Sequence, residues 1–158
     1  SEFALNLLRL ARERRVKTCI ETCGLVPTDV VREAAQYLNY VLFDIKHMDP
    51  EVHKKHTGMP NDLILKNFQT LVTEFPARTP VIPGFNDHGP DIKAICDFLK
   101  PFEHVKYEML PYHRLGTQKY TFLDRVPPMG DVTLDDKKFA ALQKIAVATL
   151  GDRVVIPR

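Results

Sequence analysis

The chain has 158 residues, of which 44% are hydrophobic and 27% charged, and its formal net charge is +2 at pH 7. That composition is typical of a globular domain, and the mild, scattered charge argues against nucleic acid as a partner. Apolar runs stop at four or five residues, too short to cross a membrane, and no signal-peptide or lipidation pattern is visible, so we expect a single cytoplasmic domain over residues 1–158.

Apolar periodicity, capping residues and glycine or proline breaks predict helices that alternate with strands. In chain order the predicted elements are a helix at 1–15, a strand at 17–24, a helix from Thr28, a strand at 40–46, a short helix from Asp49 to Gly58, a helix capped by Asn61 that runs through Val72, a strand at 78–86 ending in the loop 83–87, a helix at 91–99, a strand at 104–113, a helix from Asp135 to about Leu150 and a short strand at 153–156. This alternation predicts a parallel sheet with right-handed crossovers.

The expected fold class is α/β, built as a partial parallel barrel whose last helix and short strand occupy the part from about residue 131. An eight-stranded barrel needs about 250 residues, more than this chain has. A chain that begins on an amphipathic helix leaves that helix without a preceding strand beside it. We therefore expect N-terminal strands of a larger barrel to be missing, and the exposed sheet edge to promote self-association.

Polar side chains follow the predicted strands at their carboxyl ends, where α/β folds bind ligands. These residues are Glu21, Thr22, Asp44, Lys46, Arg78 and His113. The strand before Asp44 has four apolar residues in a row, which predicts burial on both faces, and Asp44 and Lys46 share one strand face. Carboxylates suit an ammonium or ribose hydroxyls and basic groups suit a carboxylate, so a zwitterionic ligand is indicated. An ordinary ion pair or helix cap is the alternative for Asp44 and Lys46 alone.

Other sequence signals point away from metal, phosphate or disulfide chemistry. The cysteines are Cys19, Cys23 and Cys96. An odd count without secretory features argues against a disulfide framework, and we expect buried or near-buried thiols. The histidines at 47, 53 and 56 lack a carboxylate at ligand spacing, so we expect them at the surface. No phosphate-binding glycine loop and no nucleophile beside a base is present.

Six motifs stand in order along the chain. They are Glu21-Thr-Cys-Gly24, Asp44-Ile-Lys46-His-Met, His56-Thr-Gly58, Asn61-Asp-Leu-Ile-Leu-Lys-Asn67, Arg78-Thr-Pro-Val-Ile-Pro-Gly84-Phe-Asn-Asp87 and Leu110-Pro-Tyr-His113-Arg-Leu-Gly116-Thr-Gln-Lys119-Tyr120. Together, through about Tyr120, they resemble the glycyl-radical enzyme activating enzymes, which are radical S-adenosylmethionine proteins related to pyruvate formate-lyase activating enzyme.

The resemblance implies the later strands of a (β/α)6 barrel and a parent enzyme that reductively cleaves S-adenosylmethionine at a [4Fe–4S] cluster. The resulting 5′-deoxyadenosyl radical would abstract hydrogen from a glycine of a partner glycyl-radical enzyme, and flavodoxin or ferredoxin would be the electron donor. By motif, Asp44 and Lys46 would contact S-adenosylmethionine, with Lys46 near its carboxylate. Glu21 and Thr22 would lie near the ligand and, with Asp44, near a monovalent cation, although many family members have Asp at the position of Glu21.

The same resemblance implies that His113 reaches the nucleoside and that Arg78 is a further ligand contact. The residues expected at the barrel mouth, where the partner's glycine loop enters, are Tyr112, Arg114, Gly116, Lys119 and Tyr120. In the family, a three-cysteine cluster loop and a Gly-Gly-Glu segment precede the part that this chain matches. We therefore expect the fragment alone to hold no cluster and no S-adenosylmethionine, and to contain no catalytic residue.

Two other functions remain open at this stage. The first is a non-catalytic domain that keeps only partner docking through residues 112–120. The second is a barrel resembling a class I aldolase, with Lys46 as the Schiff-base lysine beside a nearby acid. The aldolase interpretation leaves the other motifs unexplained.

Overall fold

The structure is a computed structural model that describes residues 2–71 and 75–156, without the side chain of residue 75. Its elements are α1 (Glu2–Glu13), β1 (Cys19–Thr22), α2 (Thr28–Ala35), β2 (Tyr40–Asp44), α3 (Pro50–Thr57), α4 (Asp62–Thr70), β3 (Phe75–Val81), α5 (Gly89–Leu99), β4 (Val105–Pro111), α6 (Thr117–Phe122), α7 (Asp136–Leu150), a 3-10 turn (Gly151–Arg153) and β5 (Val154–Val155). The predicted helical positions of Ser1 and Val72 lie outside the described residues.

The five strands form one parallel sheet in the order β1-β2-β3-β4-β5. Strands that follow one another along the chain are neighbours, and at least one helix lies between each consecutive pair, which is the arrangement found in βα barrels. The predicted α/β class with a parallel sheet is confirmed, and the five strands are consistent with a partial barrel. Helices from different parts of the chain cover one face of this sheet.

The covered face carries the hydrophobic core. Phe43 of β2 packs edge-on against Phe68 of α4, with 5.3 Å between ring centroids, and Tyr107 of β4 is fully buried nearby. The opposite face is less covered, since burial alternates along β2 and Tyr40 is 47% exposed. The prediction that β2 is buried on both faces is therefore wrong for this chain, because none of the described elements packs over the second face of its start.

Strand β3 begins earlier than predicted, at Phe75, and ends at Val81. Arg78 directs its carbonyl toward β2, where it accepts a hydrogen bond from Ile45 N at 2.8 Å, and prolines 76 and 80 share that direction by their even spacing. The β2 side of β3 has only two rungs of pairing among the described residues. Two prolines fit there because few ladder bonds on that side of β3 need an N–H donor.

Two histidines expected at the surface are buried. His53 is 4% exposed, and its Nδ1 lies 2.6 Å from the carbonyl oxygen of Met59. His47 is 7% exposed, and its Nδ1 accepts a hydrogen bond from the main chain of Asp49 at 3.0 Å. Both rings satisfy their polar atoms locally, which lets them leave the solvent. His56, by contrast, is exposed as predicted.

The cysteines differ from one another more than expected. Cys96 is fully buried in α5 and Cys23 is half-buried, in line with the prediction. Cys19 is exposed, so the prediction of a buried thiol is wrong there. The reason is its place on β1, on the sheet face opposite the helices. None of the helices within 2–71 and 75–156 combines the length and the apolar character needed to span a membrane.

Candidate functional site

A row of charged residues crosses the sheet on the face opposite the helices. Asp44, Arg78 and Glu108 are Cα partners on β2, β3 and β4. Residues paired in this way point to the same face of a sheet, so the three side chains lie side by side. Each is partly buried, with 17 to 21% of the side chain exposed. This face concentrates charge where a sheet without a ligand would favour apolar packing.

Asp44 and Lys46 form the first pair of the site. The Lys46 Nζ donates to Asp44 Oδ2 at 2.7 Å. The other carboxylate oxygen, Oδ1, is buried and has no hydrogen-bond partner in the described chain. A buried acceptor without a partner costs roughly 1–3 kcal/mol, so Asp44 Oδ1 is suited to a donor or a cation supplied from outside the chain.

Arg78 and Glu108 form the second pair. The Arg78 Nε donates to Glu108 Oε2 at 2.6 Å, and Arg78 Nη1 lies 3.6 Å from Glu21 Oε1. Glu21 is far more exposed than Glu108, at 57% against 17% of the side chain. With Asp44 and Lys46 included, three carboxylates face two basic groups, so the site carries a formal charge of −1. This excess of negative charge favours a ligand with a net positive charge.

Four of the six predicted cofactor residues meet on this face, namely Glu21, Asp44, Lys46 and Arg78. Arg78 was predicted as the first residue of its strand but lies in the middle of β3. Thr22 faces the helices, since its Cα partner is Phe43, and its hydroxyl accepts from Gly24 N at 2.9 Å. His113 lies two residues beyond the end of β4 and is exposed.

Glu108 is the site residue that the sequence analysis missed. Its strand reads Val-Lys-Tyr-Glu-Met-Leu from residue 105, and burial alternates along it, with Val105, Tyr107 and Met109 buried. That period of two places Glu108 on the opposite face, in line with Arg78. The alternation is visible in the sequence, but Glu108 lies within its strand and not at the carboxyl end, where the predicted site residues stand.

Asn86 holds the end of β2 to the end of β3. Its Nδ2 donates to the carbonyl oxygens of Lys46 at 2.7 Å and Pro80 at 3.0 Å, and its Oδ1 accepts from Ile82 N at 2.7 Å. The side chain is fully buried. Thr79 adds a second tie, because its hydroxyl donates to the Ile45 carbonyl at 2.7 Å. The main chain that carries Lys46 is therefore held by two side-chain hydrogen bonds, one from Asn86 and one from Thr79.

Two further buried asparagines hold neighbouring loops. Asn67 donates to the carbonyl oxygens of Gly24 and Val26 at 2.7 and 2.8 Å. Asn61 donates to those of His47 and Met48 at 2.7 and 3.0 Å. Asn61 was predicted to cap α4, but its side chain makes no capping bond and serves the loop after β2 instead.

The predicted partner-binding residues lie around one depression of about 300 Å³. Its lining includes Tyr112, Arg114, Gly116 and Tyr120, together with His113 and the prolines at 127 and 128. Arg114 Nη2 pairs with Asp131 Oδ1 at 2.6 Å, which ties the two sides of the depression together. Lys119 is exposed on α6 and is not part of the lining.

A wider cleft of about 690 Å³ lies between α3 and the start of α5, and its lining includes none of the residues predicted to bind the cofactor or the partner. Phe85 stacks there against both His47 and His56, with centroid distances of 5.5 and 4.5 Å. His47 Nε2 also lies 3.4 Å from Asp91 Oδ1. Within the described ranges, no group of three or more His, Cys, Asp or Glu side chains is arranged to hold a metal ion.

The parallel sheet, with helices on one face and a row of charged residues on the other, defines an α/β domain. The family model of the Radical SAM superfamily matches residues 1–99, and this chain belongs to that superfamily. It is 58% identical over 161 aligned residues to the isethionate sulfite-lyase activating enzyme of Desulfovibrio desulfuricans, covering 99% of this chain and 52% of that protein. It is 44% identical to the (2S)-3-sulfopropanediol sulfolyase activating enzyme of Bilophila wadsworthia, covering 85% of this chain and 46% of that protein.

A solved domain of pyruvate-formate lyase-activating enzyme from Bacteroides vulgatus has the same fold, with a TM-score of 0.79 and 24% identity. The match covers 99% of this chain and 91% of that one. The resemblance to the glycyl-radical enzyme activating enzymes is confirmed by these comparisons. The chain spans about half the length of the curated relatives it matches.

Proposed function

We propose that this chain is part of a glycyl-radical enzyme activating enzyme and that its charged sheet face binds S-adenosylmethionine. The observation that carries the proposal is the row of Asp44, Arg78 and Glu108 across three strands, with a buried Asp44 oxygen that lacks a partner in the described chain. The relatives named as activating enzymes support the same conclusion.

The charges of the site complement those of S-adenosylmethionine, whose sulfonium and ammonium exceed its one carboxylate by one positive charge. Lys46 and Arg78 supply donors for the ligand carboxylate, and Asp44 and Glu21 supply acceptors for its ammonium or ribose hydroxyls. The unpartnered Asp44 Oδ1 would accept one of these donors or a monovalent cation. His113 would approach from the β4 end toward the nucleoside. Thr22 would contribute through its main chain, since its hydroxyl is engaged by Gly24.

The cysteines of this chain do not fit a [4Fe–4S] cluster. Burial raises the pKa of the Cys96 thiol to about 12, whereas cluster ligands are thiolates. Cys19 and Cys23 lie four residues apart on and just after one short strand. We propose that the cluster, which supplies the electron that cleaves S-adenosylmethionine, is held by residues elsewhere in a longer protein. A flavodoxin or ferredoxin would be its electron donor.

The depression around Tyr112, Arg114, Gly116 and Tyr120 would receive the glycine loop of the partner glycyl-radical enzyme. Its lining begins at Tyr112, directly beyond the carboxyl end of β4, the strand that carries Glu108. The second candidate, a domain that only docks the partner, uses the same depression and needs none of the charged row. The aldolase alternative is less consistent with the structure, because an ammonium held in an ion pair with Asp44 is a poor nucleophile.

Calorimetric titration with S-adenosylmethionine tests the proposal, using the whole protein expressed from its native gene and reconstituted with iron and sulfide. Asp44→Asn and Lys46→Met should each weaken binding about tenfold or more, as expected for loss of a charge-assisted contact. Asp97→Asn, which breaks an exposed pair with Lys93 on α5, is the matched control and should bind normally. Unchanged affinity in both site variants would remove this face from the binding site and favour the docking function.

A further inference from the structure

Among the ion pairs of Arg78, the one with Glu108 is the shortest. Their bond of 2.6 Å joins the Nε of Arg78, the donor nearest the strand, to a carboxylate on the neighbouring strand in direct register. Both side chains are about four-fifths buried. Charge-assisted hydrogen bonds between partly buried groups are stronger than neutral ones and restrict side-chain rotation.

The far end of Arg78 is held only loosely. Its Nη1 lies 3.6 Å from Glu21, whose side chain is more than half exposed, and its Nη2 makes no hydrogen bond to the described part of the chain. A guanidinium fixed through Nε keeps Nη2 and the loosely held Nη1 available to another acceptor. These two nitrogens can pair with the two oxygens of a carboxylate.

We propose that Glu108 is a positioning residue, which orients the Arg78 guanidinium to receive the carboxylate of the ligand. The inference rests on the proposed function, because it takes S-adenosylmethionine as the ligand of this face. Glu21 plays a different part: its weak contact with Nη1 is displaced when the carboxylate binds. Holding the arginine in place beforehand removes the loss of side-chain entropy that binding would otherwise carry.

Two ligands separate this role from a merely structural one. S-adenosylmethionine has the carboxylate, and decarboxylated S-adenosylmethionine lacks it but keeps the sulfonium, the ammonium and the nucleoside. In the whole reconstituted protein, Glu108→Gln should weaken binding of the first by about five- to twentyfold, the range for weakening one charge-assisted bond. It should weaken binding of the second clearly less than binding of the first, because only the loss of one negative charge from the site acts on a ligand without the carboxylate. Glu108→Asp, which keeps the charge on a shorter side chain, should lie between the wild type and Glu108→Gln.

A double-mutant cycle provides the second readout. If Glu108 acts through Arg78, then Glu108→Gln should add no further loss of S-adenosylmethionine affinity in an Arg78→Lys background. Thermal unfolding of each variant identifies losses that come from misfolding, and these would affect both ligands alike. Glu21→Gln should have a smaller effect than Glu108→Gln.

Distinct outcomes would overturn this inference. Equal losses for both ligands, or additive losses in the cycle, would mean that Glu108 only supports the fold. Tighter binding of S-adenosylmethionine by Glu108→Gln would mean that the glutamate merely offsets the charge of Arg78. If the wild-type protein binds neither ligand, the proposed function itself is overturned. If the wild-type protein binds S-adenosylmethionine and Glu108→Gln binds it equally well, only the role of Glu108 is overturned.

Discussion

The side-chain amide of Asn86 donates a hydrogen bond of 2.7 Å to the carbonyl oxygen of Lys46. Forty residues apart in sequence, these two residues bring the loop after β3 onto the end of β2. The contact fixes the main chain beside the ion pair between Lys46 and Asp44. It also explains a buried polar residue in a loop, because every polar atom of the Asn86 side chain has a partner.

Asn86→Ala should therefore lower both stability and ligand affinity. The change leaves two carbonyl oxygens and the Ile82 N–H without partners in a buried place, and we expect a loss of roughly 2–4 kcal/mol in the free energy of unfolding. Urea unfolding followed by circular dichroism measures it. Asn6→Ala, on the exposed face of α1, is the control and should change stability by less than about 0.5 kcal/mol. A loss of similar size in both variants would contradict the stabilising role assigned to the Asn86 hydrogen bonds.

Gly24 allows the turn after β1 to pass close to the core. Its φ is +68°, and a Cβ there would lie 2.7 Å from ring atoms of the fully buried Phe43. Gly24→Ala should thus destabilise the protein by roughly 2–4 kcal/mol, through the left-handed conformation and the forced shift of a core ring. Gly116→Ala is the matched control, since its φ is −80° and a Cβ would meet nothing within 4 Å. Equal melting temperatures for the two variants would show that the turn can relax.

Much of this architecture was accessible from the sequence because it depends on local signals. The apolar run before Asp44 and the Asp49-Pro50 helix start predicted β2 and α3, and both are present. The pairing of Arg78 with Glu108 was not accessible in the same way. It depends on the register between β3 and β4, which is set by packing across the sheet rather than by either strand alone.

The errors have a common physical cause. His53 was placed at the surface because it lacks a carboxylate at metal-ligand spacing, but its Nδ1 lies against a main-chain carbonyl of the following turn and the ring is buried. Thr22 and Glu21 were both predicted at the site because they follow the strand at its carboxyl end. Adjacent strand residues point to opposite faces, so their side chains do not meet, and the contact of Thr22 with the ligand stays a prediction. For His53 a hydrogen-bond partner determines whether the ring is buried, and for Thr22 the strand register determines which sheet face the side chain lies on. Neither property is encoded by the residue type at a single position.

Asp87 should make the stability of the protein sensitive to acid. Burial alone would raise its pKa, but hydrogen bonds from Lys138 and from the Gly84 N–H hold the pKa below its usual value. A carboxyl with a lower pKa when folded stabilises the protein above its unfolded pKa, and this stabilisation is lost as the pH falls through the folded pKa. Asp87→Asn should therefore lose roughly 1–3 kcal/mol at neutral pH.

The difference between wild type and Asp87→Asn should begin to shrink below about pH 4, where the carboxyl of the unfolded chain takes up a proton, and it should be lost as the pH falls through the lower pKa of the folded carboxyl. Urea unfolding at several pH values measures this difference. Asp97→Asn removes an exposed carboxylate paired with Lys93 and should change stability by less than about 0.5 kcal/mol at any pH. A constant difference between wild type and Asp87→Asn down to acid pH would contradict the role assigned to the ion pair.

Helix α1 should promote association between copies of this chain. Phe3, Leu7 and Leu10 lie on one side of it and are 81, 54 and 41% exposed. Strand β1 ends the sheet order, so it has no hydrogen-bonded neighbour on its outer side among the described strands. Exposed apolar stripes and unpaired strand edges are surfaces that proteins normally cover. Sedimentation velocity should show the 158-residue chain forming dimers or larger species as concentration rises.

Leu7→Lys should shift the association equilibrium toward monomer, because it places a charge in the apolar stripe of α1. Val126→Lys, at an exposed position remote in sequence, should not shift it. Monomers at every concentration would show that α1 and β1 tolerate solvent as they stand.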